Sequence, residues 1–173
     1  MRRQSFFLTI ALFSLLMVAC GKQGPQRPSR WLGRDPEPDS AQLALLELNR
    51  QMAIAADKEL MQLAQAQDEQ YALYEGGAWV HQIETGEDSL VRLGTNCAVH
   101  ICTYNLDGRL LTDSERTYSV GKLEMPIAIE RNIHNWNHGA KMRMYVPWYS
   151  AYGIKGTEHV APYENVIFEI DIR

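Results

Sequence analysis

Five histidines and three cysteines are the residues of this sequence best suited to nucleophilic or metal chemistry. Only His134 and His138 stand four apart, in His-Asn-Trp-Asn-His, a spacing that puts both on one helix face. A metalloprotease pair needs a glutamate directly after the first histidine to activate water, and Asn135 occupies that place. No glycine-rich phosphate loop and no Gly-x-Ser-x-Gly elbow occurs. Cys97 and Cys102, placed on one extended strand, have alpha carbons about 16 Å apart, beyond disulfide reach. Both read as small apolar strand residues. No metal and no cofactor is expected.

The remaining thiol, Cys20, has a different setting. Arg2 and Arg3 precede an apolar run over residues 6–18, too short to span a bilayer comfortably as a helix, which ends in small residues. The stretch Leu16-Met17-Val18-Ala19-Cys20-Gly21 resembles the bacterial lipobox, with Met17 where leucine is commonest. The resemblance implies a signal peptide over residues 1–19 and lipidation of Cys20. The expected location is the bacterial cell envelope, with the chain anchored to a membrane by that lipid and facing the periplasm. Cleavage leaves 154 residues (173 minus 19), enough for one domain with a core. Residues 22–34 carry Lys22, Arg27, Arg30 and Arg34 and no acid, a charge of +4 that suits an anionic membrane surface. Residues 35–173 hold 11 Lys and Arg against 21 Asp and Glu, a charge of −10, which argues against nucleic acid as a partner.

The elements that must position any site follow from composition and period. Pro25, Pro28, Pro36 and Pro38 make residues 20–38 an extended tether, about 55 Å long when stretched. Asp39 with Gln42 reads as a capping box that opens an amphipathic helix, given the range 39–70. Leu45, Leu48, Met52, Ala56, Leu60 and Leu63 recur there at three-and-four spacing, and the pattern fades near Gln67. That stripe either packs on its own domain or joins two copies as a homodimer through residues 40–67, and the pattern alone leaves both open. Beyond Gly76-Gly77 the period is that of strands, at 78–83, 96–104, 109–111, 117–120, 141–146 and 165–172. On the second, Cys97, Val99 and Ile101 share one face and Ala98, His100 and Cys102 the other. Asp107-Gly108 predicts a type I′ hairpin turn, and Pro126 a short helix that ends before Gly139. The fold class is α+β, an antiparallel sheet with one short helix to cover a face.

Several of these pieces recur in an order that carries more meaning than any one alone. Gly139-Ala-Lys-Met-Arg-Met-Tyr-Val-Pro147 is followed by Ala151-Tyr152-Gly153, then Val160-Ala161-Pro162, then Asn165-Val-Ile-Phe168-Glu-Ile-Asp171; upstream stand Val99-His100, Asp107-Gly108 and Val120-Gly121-Lys122. Over residues 77–173 this set resembles FKBP-type peptidyl-prolyl cis-trans isomerases. With its tether and helix the chain also looks like the lipoprotein isomerases associated with gliding motility. The resemblance implies an antiparallel half-barrel sheet wrapped around a short helix, with an apolar pocket between them that receives proline-containing exported polypeptides. It makes Tyr152 the catalytic residue, its hydroxyl bonding the carbonyl beside the proline, and Leu111, Met125, Pro126, Val160 and Phe168 part of the pocket. Four positions depart from the family's pattern: Ile101 replaces an inward tyrosine, Thr112 a pocket aspartate, Arg116 a wall aromatic and Ile129 the tryptophan floor. Ile101, Thr112 and Ile129 still count as substrate-binding positions, in a pocket that stays apolar with fewer polar handles. Two further readings stand beside the isomerase: an FKBP-like binding module or chaperone without turnover, and a structural lipoprotein of an envelope machine.

Overall fold

The computed structural model describes residues 39–173 apart from Asp88. The segments read as signal peptide and tether, with Cys20, lie outside the described residues. The first helix opens on a capping box: the Gln42 N–H donates to Asp39 Oδ1 at 2.7 Å and the Asp39 N–H to Gln42 Oε1 at 3.3 Å. This is α1 (Ser40–Gln65), 26 residues with no glycine or proline inside. Its buried residues are Ala56, Leu60 and Ala64, four apart and so on one face. Leu60, fully buried, meets Tyr145 and Ile167. Tyr163 donates to Asn49 at 3.1 Å, Asn165 to Glu59 at 2.8 Å and Tyr149 to Asp57, a polar row beside that apolar contact. The expected apolar stripe is therefore covered only in its second half. Leu45 and Leu48 remain 55% and 52% exposed, because no described side chain covers them.

Six strands form one antiparallel sheet in the order β1-β2-β5-β6-β3-β4. They are β1 (Ala72–Leu73), β2 (Trp79–Thr85), β3 (Asn96–Asn105), β4 (Leu110–Ser119), β5 (Ala140–Val146) and β6 (Val166–Ile172). Strict alternation puts Cys97, Val99, Ile101 and Thr103 of β3 on the inner face, opposite Val166, Phe168, Ile170 and Ile172 of β6 and Met142, Met144 and Val146 of β5. Against this face packs α2 (Ile127–Asn132), through Ala128 and Ile129 and the following Ile133. Each large aliphatic or aromatic side chain buried there contributes about 1.5–3 kcal/mol. Asn132 locks the helix in place, its amide donating to the Ala128 carbonyl at 2.7 Å and the Glu75 carbonyl at 3.0 Å.

Three local expectations are corrected. The β3–β4 turn is not type I′, since only Gly108 has positive φ (83°). Gly108 N–H donates to the Asn105 carbonyl at 3.0 Å and Asn105 N–H to the Arg109 carbonyl at 3.0 Å. This is a three-residue loop, a type I turn closed by a left-handed glycine. The two short strands expected at 109–111 and 117–120 are one strand, β4, paired with β3 along its length. Its middle reads as loop because it is a sheet edge: Thr112, Ser114 and Arg116 face inward beyond the cover of α2, and none of the three is buried. The short helix ends at Asn132 and a 3-10 turn follows (Ile133–Asn135), after which Trp136 turns extended and is buried to 2% exposure. His134 and His138 consequently share no helix face, and His138 lies in a turn with Nδ1 3.3 Å from the Arg173 carbonyl oxygen.

Candidate functional site

The concave side of the sheet brings together residues that are far apart in the chain. A 3-10 turn (Trp148–Ser150) after β5 reverses the backbone, and Gly153 N–H donates to the Trp148 carbonyl at 2.8 Å. Tyr152 is thereby directed inward. Its hydroxyl lies 3.1 Å from Thr103 Oγ1, and its ring meets Phe168 edge to face at 5.8 Å. Thr103 is fully buried, so its hydroxyl depends on this partner. When Thr103 donates, the phenol proton stays free for a carbonyl acceptor.

The loop after Tyr152 is fixed by its own hydrogen bonds. Thr157 Oγ1 accepts from His159 N–H at 3.2 Å and Val160 N–H at 3.1 Å, while Thr157 N–H donates to the Val160 carbonyl at 2.8 Å. Gly156 (φ 62°) leaves no room for a Cβ beside that carbonyl. The result is that Val160, 1% exposed, points into the core. On the opposite wall, Glu130 of α2 accepts from Gly121 N–H at 2.5 Å, which holds the segment leading to Met125 and Pro126.

Seven of the nine expected site residues join one apolar cluster. Ile101, Met125, Ile129, Val160 and Phe168 are its buried members, and Leu111 and Tyr152 pack against it half-exposed. Thr112 pairs with Thr103 across β3 and β4, and Pro126 precedes α2; both are half-buried. The site thus has a closed base and an open rim. Ile129 and Phe168 expose 0% of their surface, whereas Leu111, Thr112, Pro126 and Tyr152 remain accessible. Arg116 sits on the inner side of the edge strand, exposed and opposite Val99. Sequence reasoning missed Thr103, although the period of two that selects Cys97, Val99 and Ile101 reaches it next. A groove of about 710 Å³ runs along Ala64, Tyr71, Trp79 and His81, a stretch of surface that does not include Tyr152.

An open antiparallel sheet of this order with a short helix over its concave face is the FKBP-type fold. No family model and no characterised protein matches the sequence. Solved structures do match the fold. A peptidyl-prolyl cis-trans isomerase from Pseudomonas syringae pv. tomato str. DC3000 superimposes with a TM-score of 0.59 at 17% identity, over 86% of this chain and 96% of that one. The N-terminal domain of FKBP42 from Arabidopsis thaliana does so with a TM-score of 0.53 at 19% identity, over 61% of this chain and 91% of that domain. The chain has the FKBP-type fold, and its chemistry rests on its own side chains.

Proposed function

We propose that the chain is a peptidyl-prolyl cis-trans isomerase acting on proline-containing segments of exported proteins, held to a bacterial envelope membrane by lipid on Cys20. The observation that carries this reading is the Tyr152 hydroxyl, held inward over Phe168 by the buried Thr103. An X-Pro bond crosses a barrier of about 18–20 kcal/mol because amide resonance must be broken. A water-poor apolar surface disfavours the dipolar resonance form, and a phenol proton offered to the adjacent carbonyl holds the twisted state better than the planar one. No proton transfer is needed, so the absence of an aspartate at Thr112 leaves this chemistry intact. The anchor is supported by residues 1–20 alone; among the described residues no helix is long and apolar enough to cross a membrane. The exposed leucines of α1, Leu45, Leu46 and Leu48, are where a second copy would pack in a homodimer.

Rates on a proline tetrapeptide test the reading. Tyr152→Phe should lower kcat/KM about 5- to 10-fold, the equivalent of one hydrogen bond made in the transition state. Equal rates for wild type, variant and the uncatalysed peptide would remove the isomerase.

The closed base favours a second reading. With Ile129, Val160 and Phe168 exposing 1% or less, a proline ring has only the rim to meet unless side chains move. Leu110, Leu123, Ile127 and Ile154, exposed by 40% or more, flank rim and base residues in sequence. Such a surface suits gripping an extended apolar chain without turnover. Binding of the tetrapeptide with no acceleration of its isomerisation selects this alternative.

A further inference from the structure

On the outer face of the β3–β4 hairpin three side chains with different donor atoms converge. His100 and Cys102 are two apart on β3 and share a face. The β3–β4 register sets Asp113 opposite Cys102. His100 Nε2 is 2.6 Å from Asp113 Oδ1 and 3.6 Å from Cys102 Sγ, and the three donor atoms all lie within 4.8 Å of one another.

Both contacts use the same imidazole nitrogen. A nucleophilic Cys-His-Asp relay needs the thiol on one ring nitrogen and the carboxylate on the other, so that the ring can pass a proton between them. Here thiol and carboxylate compete for one nitrogen. The arrangement is not a relay. It is three donors gathered around a common point.

We propose that His100, Cys102 and Asp113 form a zinc site, with water as the fourth ligand. A thiolate, an imidazole and a carboxylate make the mixed donor set that zinc accepts. On a tetrahedral ion, sulfur at about 2.3 Å and nitrogen at about 2.05 Å stand about 3.6 Å apart, which is the observed Sγ to Nε2 separation. The carboxylate has to withdraw from Nε2 to about 3.3 Å, and the Asp113 side chain is 57% exposed and free to turn. Neighbouring charges are engaged elsewhere. Glu169 is held by the Tyr104 hydroxyl at 3.1 Å and lies 3.7 Å from Arg143; Arg173 pairs with Glu115 at 2.9 Å and Asp171 at 3.7 Å; Lys141 pairs with Glu84 at 2.8 Å. Among the described residues no lysine or arginine pairs with Asp113, whose one side-chain partner is His100. A depression of about 250 Å³ bordered by His100, Cys102, Glu169 and Asp171 gives a hydrated ion access. An ion there ties the edge strand β4 to β3 directly behind Thr112, a rim residue on the opposite face.

Titrating the full, reduced chain with zinc chloride against a chromophoric chelator tests this, with Co2+ substituted to report sulfur ligation. The expected result is one zinc per chain, a thiolate-to-cobalt absorption band, and affinity at least about 10-fold weaker in Cys102→Ser, His100→Gln and Asp113→Asn. Cys20→Ser should leave binding unchanged, and Mg2+ should not compete. Thermal melts separate a lost site from a lost fold: without metal the Asp113→Asn variant melts with wild type, and only wild type gains Tm in zinc. A chain that binds no zinc, a cobalt complex without the thiolate band, or affinity equal in wild type and all three variants overturns the proposal.

Discussion

Along β3, Cys97, Val99, Ile101 and Thr103 are each 4% exposed or less, while Ala98, His100, Cys102 and Tyr104, one residue out of step, stay partly open to solvent. A single strand therefore presents two different surfaces. Its inner face is dry and aliphatic, with one hydroxyl pair between Thr103 and Tyr152. Its outer face carries the His100 nitrogen and the Cys102 sulfur, with the Asp113 oxygen beside them on β4. The period of two keeps them apart, so that a change on one face reaches the other only through strand position. The outer face is itself divided: where α1 crosses β5 and β6, Leu60, Tyr145 and Ile167 make a second dry contact, and beyond it the surface is polar.

The largest expected effects break the dry contacts. Phe168→Ala removes the ring beneath Tyr152 and should destabilise the protein by about 3–5 kcal/mol; Leu60→Ala, on the buried face of α1, should cost about 2–5 kcal/mol. Urea unfolding measures both, and a loss below about 1 kcal/mol at Phe168 would mean the base is loosely packed rather than closed. Gly156→Ala forces a side chain into the left-handed region against the Val160 carbonyl and should cost about 1–3 kcal/mol. Next comes the hydroxyl pair. Thr103→Val and Tyr152→Phe, alone and together, should show a coupling of about 0.5–1.5 kcal/mol in a double-mutant cycle. Additive effects would show that the two hydroxyls do not support each other. On the wet face, Cys102→Ser in metal-free protein should change stability by no more than about 0.5 kcal/mol.

What the sequence reveals follows the same division. β3, β5 and β6 are legible because the inner face of each is an apolar series at alternate positions, and only Tyr145 and Ile167, covered by α1, are buried on the outer side. The middle of β4 is not, because Thr112, Ser114 and Arg116 lie on an edge where neither face is covered and period carries no signal. The length of α2 is hidden for a different reason: burying Trp136 draws the chain out of helix four residues after Asn132, a tertiary demand with no local mark. Thr103 escapes because a threonine in an apolar series looks like an interruption until its partner, 49 residues later, is in place. His100 and Cys102 share a face in the sequence pattern, but Asp113 is hidden for the same reason as Thr103, since only strand register brings position 113 beside 100 and 102. Tyr152, Val160 and Phe168 lie close in sequence by comparison, and their order is what the family resemblance reads.

A pH dependence isolates the wet face. The Tyr104 hydroxyl is pushed up to about 12, by burial first and by its bond to Glu169 next. A phenol in the unfolded chain titrates near its ordinary value of about 10. Below that pH both states hold the proton, and the Tyr104–Glu169 contact contributes fully to stability. Above it the unfolded chain loses its proton first, so stability falls as pH rises through the folded value. Tyr71 and Tyr149 are also shifted upward, by burial, and steepen the same decline. Tyr104→Phe should therefore flatten, without abolishing, the fall in Tm between about pH 10 and about pH 12. Identical slopes in wild type and variant would place the Tyr104 hydroxyl in water rather than on the Glu169 carboxylate.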